Sequence, residues 1–268
     1  MEGHLMKKYI VIEKIDVQNA NAWNNIVVGF PAITGFLGAT HALERMINDT
    51  GIKCCVSGTG IILHEYELKS VTIPKKGWDD TLLTIPRRSL ILGKNDTIKE
   101  QHFTNQAYID IIISLVIEIN IDESVSLGQL CKLIKHKFNK LRIAGGMVCG
   151  FNDVKIVQNV ENLPHGYVLM DRSYMMRETD GNDMLEKMFN VIHENNDFIA
   201  ISVGYKSLSD LGHVKGQRDP SKLHCFVESI FGIGEFYPIR AITDFSQIMW
   251  SYSYQNGIYR CTQKNKVL

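Results

Sequence analysis

No sign of charge dominates this chain: 29 lysines and arginines are balanced by 29 aspartates and glutamates over 268 residues. A nucleic-acid binder that works by bulk electrostatics carries a basic excess, so any grip on phosphate must come from local patches. None of the six cysteines (Cys54, Cys55, Cys131, Cys149, Cys225, Cys261) stands in a C-x-x-C pair. That removes the common zinc and dithiol patterns and leaves scattered reduced thiols, as in a cytosolic protein. The start, "MEGHLMKKYIVIEKI", lacks the apolar stretch of a signal peptide. The most apolar run, "YIDIIISLVIEI", is too short and too interrupted by acids to span a bilayer. The expectation is a soluble cytoplasmic protein without membrane contact.

Catalytic signatures are missing as well. There is no Walker-type phosphate loop, no G-x-G-x-x-G after a strand and no G-x-S-x-G elbow. "HEYEL" at His64 lacks the second histidine of a zinc-protease helix, and the aromatic signature of a typical RRM is absent. His41 falls on the first helix, where it reads as a packed or capping histidine before it reads as a catalytic one. Asp79 and Asp80 read as solvated loop acids before a metal pair. No catalytic set, metal or cofactor is expected.

What is present is a β-α-β, β-α-β order. Tyr9 to Gln18 alternates, with Tyr9, Val11, Ile15 and Val17 expected on one side. Pro31 suits the first turn of a helix whose apolar face is Ile33, Phe36, Leu37, Leu43 and Ile47, with Gly51 as its stop. Cys54 to Leu68 is strand-like with a glycine break at Gly58 and Gly60, and Gly77 to Gly93 reads as a loop or loose hairpin. The clearest strand is Tyr108 to Asn120, apolar at every odd position from Ile109 to Ile119 and polar at Asp110, Ser114 and Glu118. Ser126 and Gln129 form a capping box for a helix with Leu127, Leu130, Cys131, Ile134 and Phe138 on one face. Its other face carries Lys132, Lys135, His136 and Lys140. "RIAGGMVCG" then reads as a strand bent at Gly145 and Gly146.

Strands are expected beyond, at Val154 to Val160, Tyr167 to Met170, Phe198 to Gly204 and Leu223 to Ile230. A short helix capped by Asp183 and Glu186 should bury Leu185, Met188, Phe189 and Ile192. Asn256-Gly257 marks a hairpin. The fold class is therefore α+β: one modified RRM-like (ferredoxin-like) domain over 1–268, with a core of about 8–150 followed by extra antiparallel strands and a C-terminal hairpin.

From the residues alone, RNA contact rests on the lysine-bearing helix face, on Arg87-Arg88 and on glycine-bearing segments where backbone approaches a ligand. Each has an ordinary alternative: a solvated helix face, a surface pair, helix-on-sheet packing. Gly35 and Gly38, inside the first helix, each cost ~1 kcal/mol against alanine and need a reason.

The pieces "VQNANA", "GFPAITGFLGATHALERM", "GTGIILHEYE", "TIPRRSL", "RIAGGMV", "GYKSLSDL" and "FVESIFGIGEFYPIRAI" occur in order. Together they resemble the Cas-five-type subunit of type I-F CRISPR Cascade, the second-protein family of the Csy complex, over most of Val11 to Leu268. The resemblance implies an RRM-like fold of the repeat-associated RNA-binding superfamily with a protruding elaboration. It also implies a non-catalytic role: holding the 5′ handle of the crRNA and pairing with the large subunit. The Cas-seven-type backbone subunit and, in the assembled complex, target DNA would be the further partners. Guide processing would belong to another protein, and DNA sequence would be read by the guide. On this footing the candidate RNA-binding residues are Asn19, Asn21, Arg87, Arg88, Arg142, Gly145 and Gly146. Between Val148 and Ala200 the chain is shorter than the family leads one to expect, which points to a compact variant. The rival readings are a repeat-RNA endoribonuclease and a protein–protein adaptor without RNA contact.

Overall fold

The computed structural model describes residues 5–75, 78–83, 90–92, 98–100, 106–217 and 219–263; within 71–105 it describes strand pairing alone. In chain order the first half runs β1 (Leu5–Asn21), a small hairpin of β2 (Trp23–Asn24) and β3 (Val27–Val28), α1 (Ile33–Asn48) and β4 (Cys54–Leu68). Two hairpins follow, β5 (Ser70–Lys75) with β6 (Trp78–Leu83) and β7 (Leu90–Leu92) with β8 (Ile98–Glu100). Then come β9 (Tyr108–Asp122), α2 (Leu127–Phe138), β10 (Arg142–Ile143), β11 (Gly146–Gly150) and β12 (Asp153–Val157). The second half holds β13 (Tyr167–Asp171), α3 (Met184–Glu194), β14 (Phe198–Ser207), β15 (Val227–Pro238), β16 (Trp250–Gln255) and β17 (Ile258–Gln263).

Among the described residues every strand pairing is antiparallel. The large sheet has the order β10-β11-β1-β9-β4-β13-β15-β14-β17-β16, with β12 beside β1. Its last strand returns to β4 through Trp250 opposite Thr59, so that β4, β13, β15, β14, β17 and β16 close into a ring. The result is an α+β architecture of one large antiparallel sheet and three helices.

The core follows from the apolar patterns. The odd positions of β9 from Ile109 to Ile121 are buried, and they meet Ile33, Phe36, Leu37, Leu43 and Ile47 of α1 and Leu130, Ile134 and Phe138 of α2. Each such side chain contributes ~1.5–3 kcal/mol by leaving water. The opposite face of the sheet is not bare. Val11, Ile62 and Val116 are buried under Ile239, Ile242, Phe245, Ile248 and Met249, and Tyr9 stacks on Phe245 with centroids 3.9 Å apart.

Four one-residue bulges shape the centre of the sheet. In β1 they fall between Ile12 and Ile15 and between Val17 and Ala20, where Lys14 (φ 47°) and Asn19 (φ 55°) take left-handed backbone. In β4 they fall at Ser57 and His64. The polar residues of β9, spaced by four, serve these bulges. The Lys14 N–H donates to Ser114 Oγ at 2.9 Å and the Asn19 N–H to Asp110 Oδ1 at 2.8 Å. The Ser57 hydroxyl donates to Glu118 Oε1 at 2.6 Å, and His64 Nε2 lies 2.7 Å from Ser114 Oγ. A bulge leaves ladder groups unpaired, and a buried unpaired N–H is costly. Burial alone would raise the Glu118 pKa, but hydrogen bonds from Ser57, Lys7 and Tyr9 outweigh it and hold the carboxyl below its usual value.

Several expectations need correction. The bulge at Lys14 reverses the alternation of β1, so Ile10, Ile12, Ile15 and Val17 share the helix-covered face while Tyr9 and Val11 point the other way. Pro31 precedes the N-cap, Ala32, instead of opening the helix, and Ser126 caps α2 without a side-chain hydrogen bond, so there is no capping box. β4 runs unbroken past Gly58 and Gly60, which lie under Met249 and Ile248. "RIAGGMVCG" is a hairpin, because Ala144 (φ 48°) and Gly145 (φ 81°) form a two-residue turn with both φ positive. Asp183 and Glu186 do cap α3, yet its buried residues are Met188 and Val191, while Leu185 and Phe189 are exposed. The strand expected at Leu223 starts at Val227, and the one expected to reach Val160 ends at Val157. Asn256-Gly257 makes the predicted turn between β16 and β17.

Candidate nucleic-acid interface

Five of the seven residues singled out in the sequence meet at one corner, where the end of β1, the β10–β11 turn and the start of α1 converge. The Asn21 N–H donates to the Ala144 carbonyl at 2.9 Å, tying strand to hairpin. A methyl on Gly146 would lie 2.8 Å from Ala20 N, and one on Gly35 would lie 2.7 Å from Ala144 Cα. Only side-chain-free residues allow three backbones to approach this closely. Gly38, by contrast, is exposed with no atom within 4 Å of where its Cβ would stand.

The side chains at this corner divide into committed and available ones. Asn21 is committed: its amide donates to the Trp23 carbonyl at 3.0 Å and its oxygen accepts the Trp23 N–H at 3.1 Å. That is a local turn, the ordinary role of an asparagine. Asn19 spends its backbone on the bulge and leaves its side chain exposed. Arg142 donates one Nη1 hydrogen to the Gly145 carbonyl at 3.1 Å, which presents the remaining guanidinium hydrogens outward beside the exposed Met147. A guanidinium braced through one N–H and open on its others suits a phosphate oxygen. Arg87 and Arg88 lie outside the described residues, as do the side chains of Asp79 and Asp80.

The second sheet face is unfavourable to a polyanion. The uncovered part of the second sheet face brings together Asp16, Glu65, Glu67 and Asp110 against Lys14 and Lys69, and Lys69 is ion-paired to Asp110. With its middle roofed by 239–249, this face offers no stacking platform of the RRM kind. On α2, Lys135 is held by Asp153 at 2.6 Å, while Lys132, His136 and Lys140 are solvated. His41 stands edge-on to Tyr252, with centroids 4.7 Å apart; burial lowers its pKa below the usual value, the Glu44 charge opposes this and the Arg45 charge adds to it.

One constellation was not anticipated from the sequence. His64, the bulge residue of β4, meets Ser114, whose oxygen also accepts the Lys14 N–H. Burial lowers the His64 pKa, as does the Lys14 charge, while a bond to the His165 backbone opposes them. A neutral ring that donates to the His165 carbonyl can accept the Ser114 hydroxyl proton at Nε2. The signal was a histidine opposite a strand serine, legible only once the register is known.

Comparison with known proteins places the chain. A protein from Pseudomonas aeruginosa (strain UCBPP-PA14), named CRISPR-associated protein Csy2, is 21% identical over 312 residues, with 94% of each chain covered. The family model described as CRISPR-associated protein (Cas_Csy2) matches residues 10–193 and 186–261. The chain therefore belongs to the Csy2 family of CRISPR-associated proteins, the family of a type I-F Csy complex member.

Proposed function

We propose that this protein is a non-catalytic, RRM-like subunit of a type I-F surveillance complex that holds the 5′ handle of the crRNA. It pairs with the large subunit and adjoins the Cas-seven-type backbone subunit, within a complex that engages target DNA through the guide. The observation that carries the RNA reading is the corner where Asn19, Arg142 and the Ala144–Gly145–Gly146 turn converge. It offers free guanidinium and amide hydrogens at a place where the backbone is pared down by glycine. Sequence-independent grip on a guide needs such contacts more than base readout. The acid-bearing sheet face argues against the alternative surface. The order of β11 and β12 beside β1, then β9 and β4, with α1 and α2 in the two crossings, supports the RRM-like core. A compact form of the subunit is supported by the alignment, which runs over 312 residues against a chain of 268.

The test is guide-RNA binding by the heterodimer with the large subunit, across a salt series. Arg142→Ala, and separately Arg87→Ala with Arg88→Ala, should weaken binding and reduce the salt slope by about 0.7 per lost phosphate contact. Lys132→Ala with Lys135→Ala should change little. A costly lysine pair beside neutral arginines would put the RNA on the other side of the molecule.

A further inference from the structure

The outer face of α3 is apolar and uncovered. Met184, Leu185 and Phe189 are 58%, 43% and 56% exposed, whereas Met188 and Val191 on the inner face are buried against Met176 and Ile233. Leu185 and Phe189 are four apart and so lie one turn above the other on the same side of the helix. The segment 177–197 that contains the helix carries six carboxylates, Glu178, Asp180, Asp183, Glu186, Glu194 and Asp197, against two cations, Arg177 and Lys187. Among the described residues none of the six has an ion-pair partner.

The position of this helix in the family is informative. The two stretches matched by the Csy2 family model overlap at 186–193, inside α3. We read a match that breaks off and restarts at the same residues as the place of a family segment that this protein lacks. The alignment with the Pseudomonas protein, 312 residues long against a chain of 268, shows that this chain is gapped along it. The bare Leu185–Phe189 face therefore lies at the point where the family carries extra chain.

We infer that the Leu185–Phe189 face of α3 is a docking site for a basic amphipathic segment of another protein subunit, which occupies in trans the place of the missing segment. The inference rests on the chain working inside a multi-subunit complex. Two features select the occupant. The apolar stripe asks for apolar side chains at helical spacing, and the acidic excess of this segment asks for lysine or arginine among them. The same acidic excess disfavours nucleic acid as the occupant.

A photo-crosslinking residue, p-benzoylphenylalanine, in place of Phe189 in the complete guide-loaded complex tests this. The expected product is a crosslink to one segment of a different protein subunit, bearing apolar residues flanked by Lys or Arg. A crosslink to the guide, to a second copy of this chain, or to nothing overturns the inference. In parallel, Leu185→Ser with Phe189→Ser should cut recovery of the chain in complexes purified through another subunit by about tenfold, the scale of one lost aromatic anchor. Because both side chains already face solvent, the Tm of the isolated chain should not fall. Unchanged recovery also overturns the inference. Arg142→Ala separates the two readings: loss of guide with the crosslink retained supports both sites, and guide binding indifferent to Arg142 refutes the RNA corner alone.

Discussion

Gly35 of α1 and Ala144 of the β10–β11 turn touch backbone to backbone: a methyl on Gly35 would fall 2.7 Å from Ala144 Cα and 2.8 Å from its Cβ. Neither atom belongs to a flexible side-chain end, so nothing can yield without moving the turn. Gly35→Ala should destabilise the protein by ~1–3 kcal/mol, as overpacking does, and loosen the corner that carries Arg142. Gly38→Ala, at an open position of the same helix, should stabilise it by ~1 kcal/mol through helix propensity alone. Urea unfolding of the two variants measures both; equal effects would show that the close approach is not a constraint.

The His64–Ser114 contact makes stability depend on pH. Burial lowers the His64 pKa in the folded chain, so the unfolded chain binds the extra proton more readily. The stabilising contribution is complete above the unfolded value of about 6.5 and is lost as pH falls from there through the folded pKa. Lys14, Glu13 and Glu65 are the charges that act on the ring, with the His165 backbone. His64→Gln should flatten this part of a Tm-against-pH curve. Ser114→Ala should cost ~1–3 kcal/mol at pH 8, because it strands the Lys14 N–H. A Tm that keeps its slope below pH 6.5 in the His64 variant would contradict the assignment.

His41 lies edge-on to Tyr252, a packing contact that accounts for the residue without any chemistry. His41→Ala should therefore leave guide maturation intact in the assembled system. Unprocessed guide precursor in complexes that still assemble would revive the ribonuclease reading.

The sequence made the helix-facing core legible because β9 keeps strict alternation and α1 keeps one apolar stripe. It also made the Asn256-Gly257 turn legible, since few residues other than Asn and Gly tolerate two consecutive positive φ angles. It failed where one residue is inserted in a strand. The extra residue at Lys14 reverses inside and outside, and no periodicity within β1 announces it. It failed on α3 because apolar residues occur on both sides of that helix, so the pattern cannot say which side is buried. At the candidate site, the glycines were legible as points of close approach. The acidic sheet face was not, because Asp16, Glu65, Glu67 and Asp110 come from three strands that only the register unites.

The pairing of Trp250 with Thr59 has a consequence for the order in which this chain is made. Its two sides are separated by about 190 residues, so the vacant edge of β4 leaves the ribosome long before the strand that fills it. Contacts of such long range form late, after the entropy of closing the intervening loop has been met. During that interval the β1–β9–β4 unit stands with an open edge, and a nascent chain in this state is prone to pair with its neighbours. Translation coupled to the arrival of the other subunits would shorten the exposure, which makes the closing strand a timing element as much as a structural one.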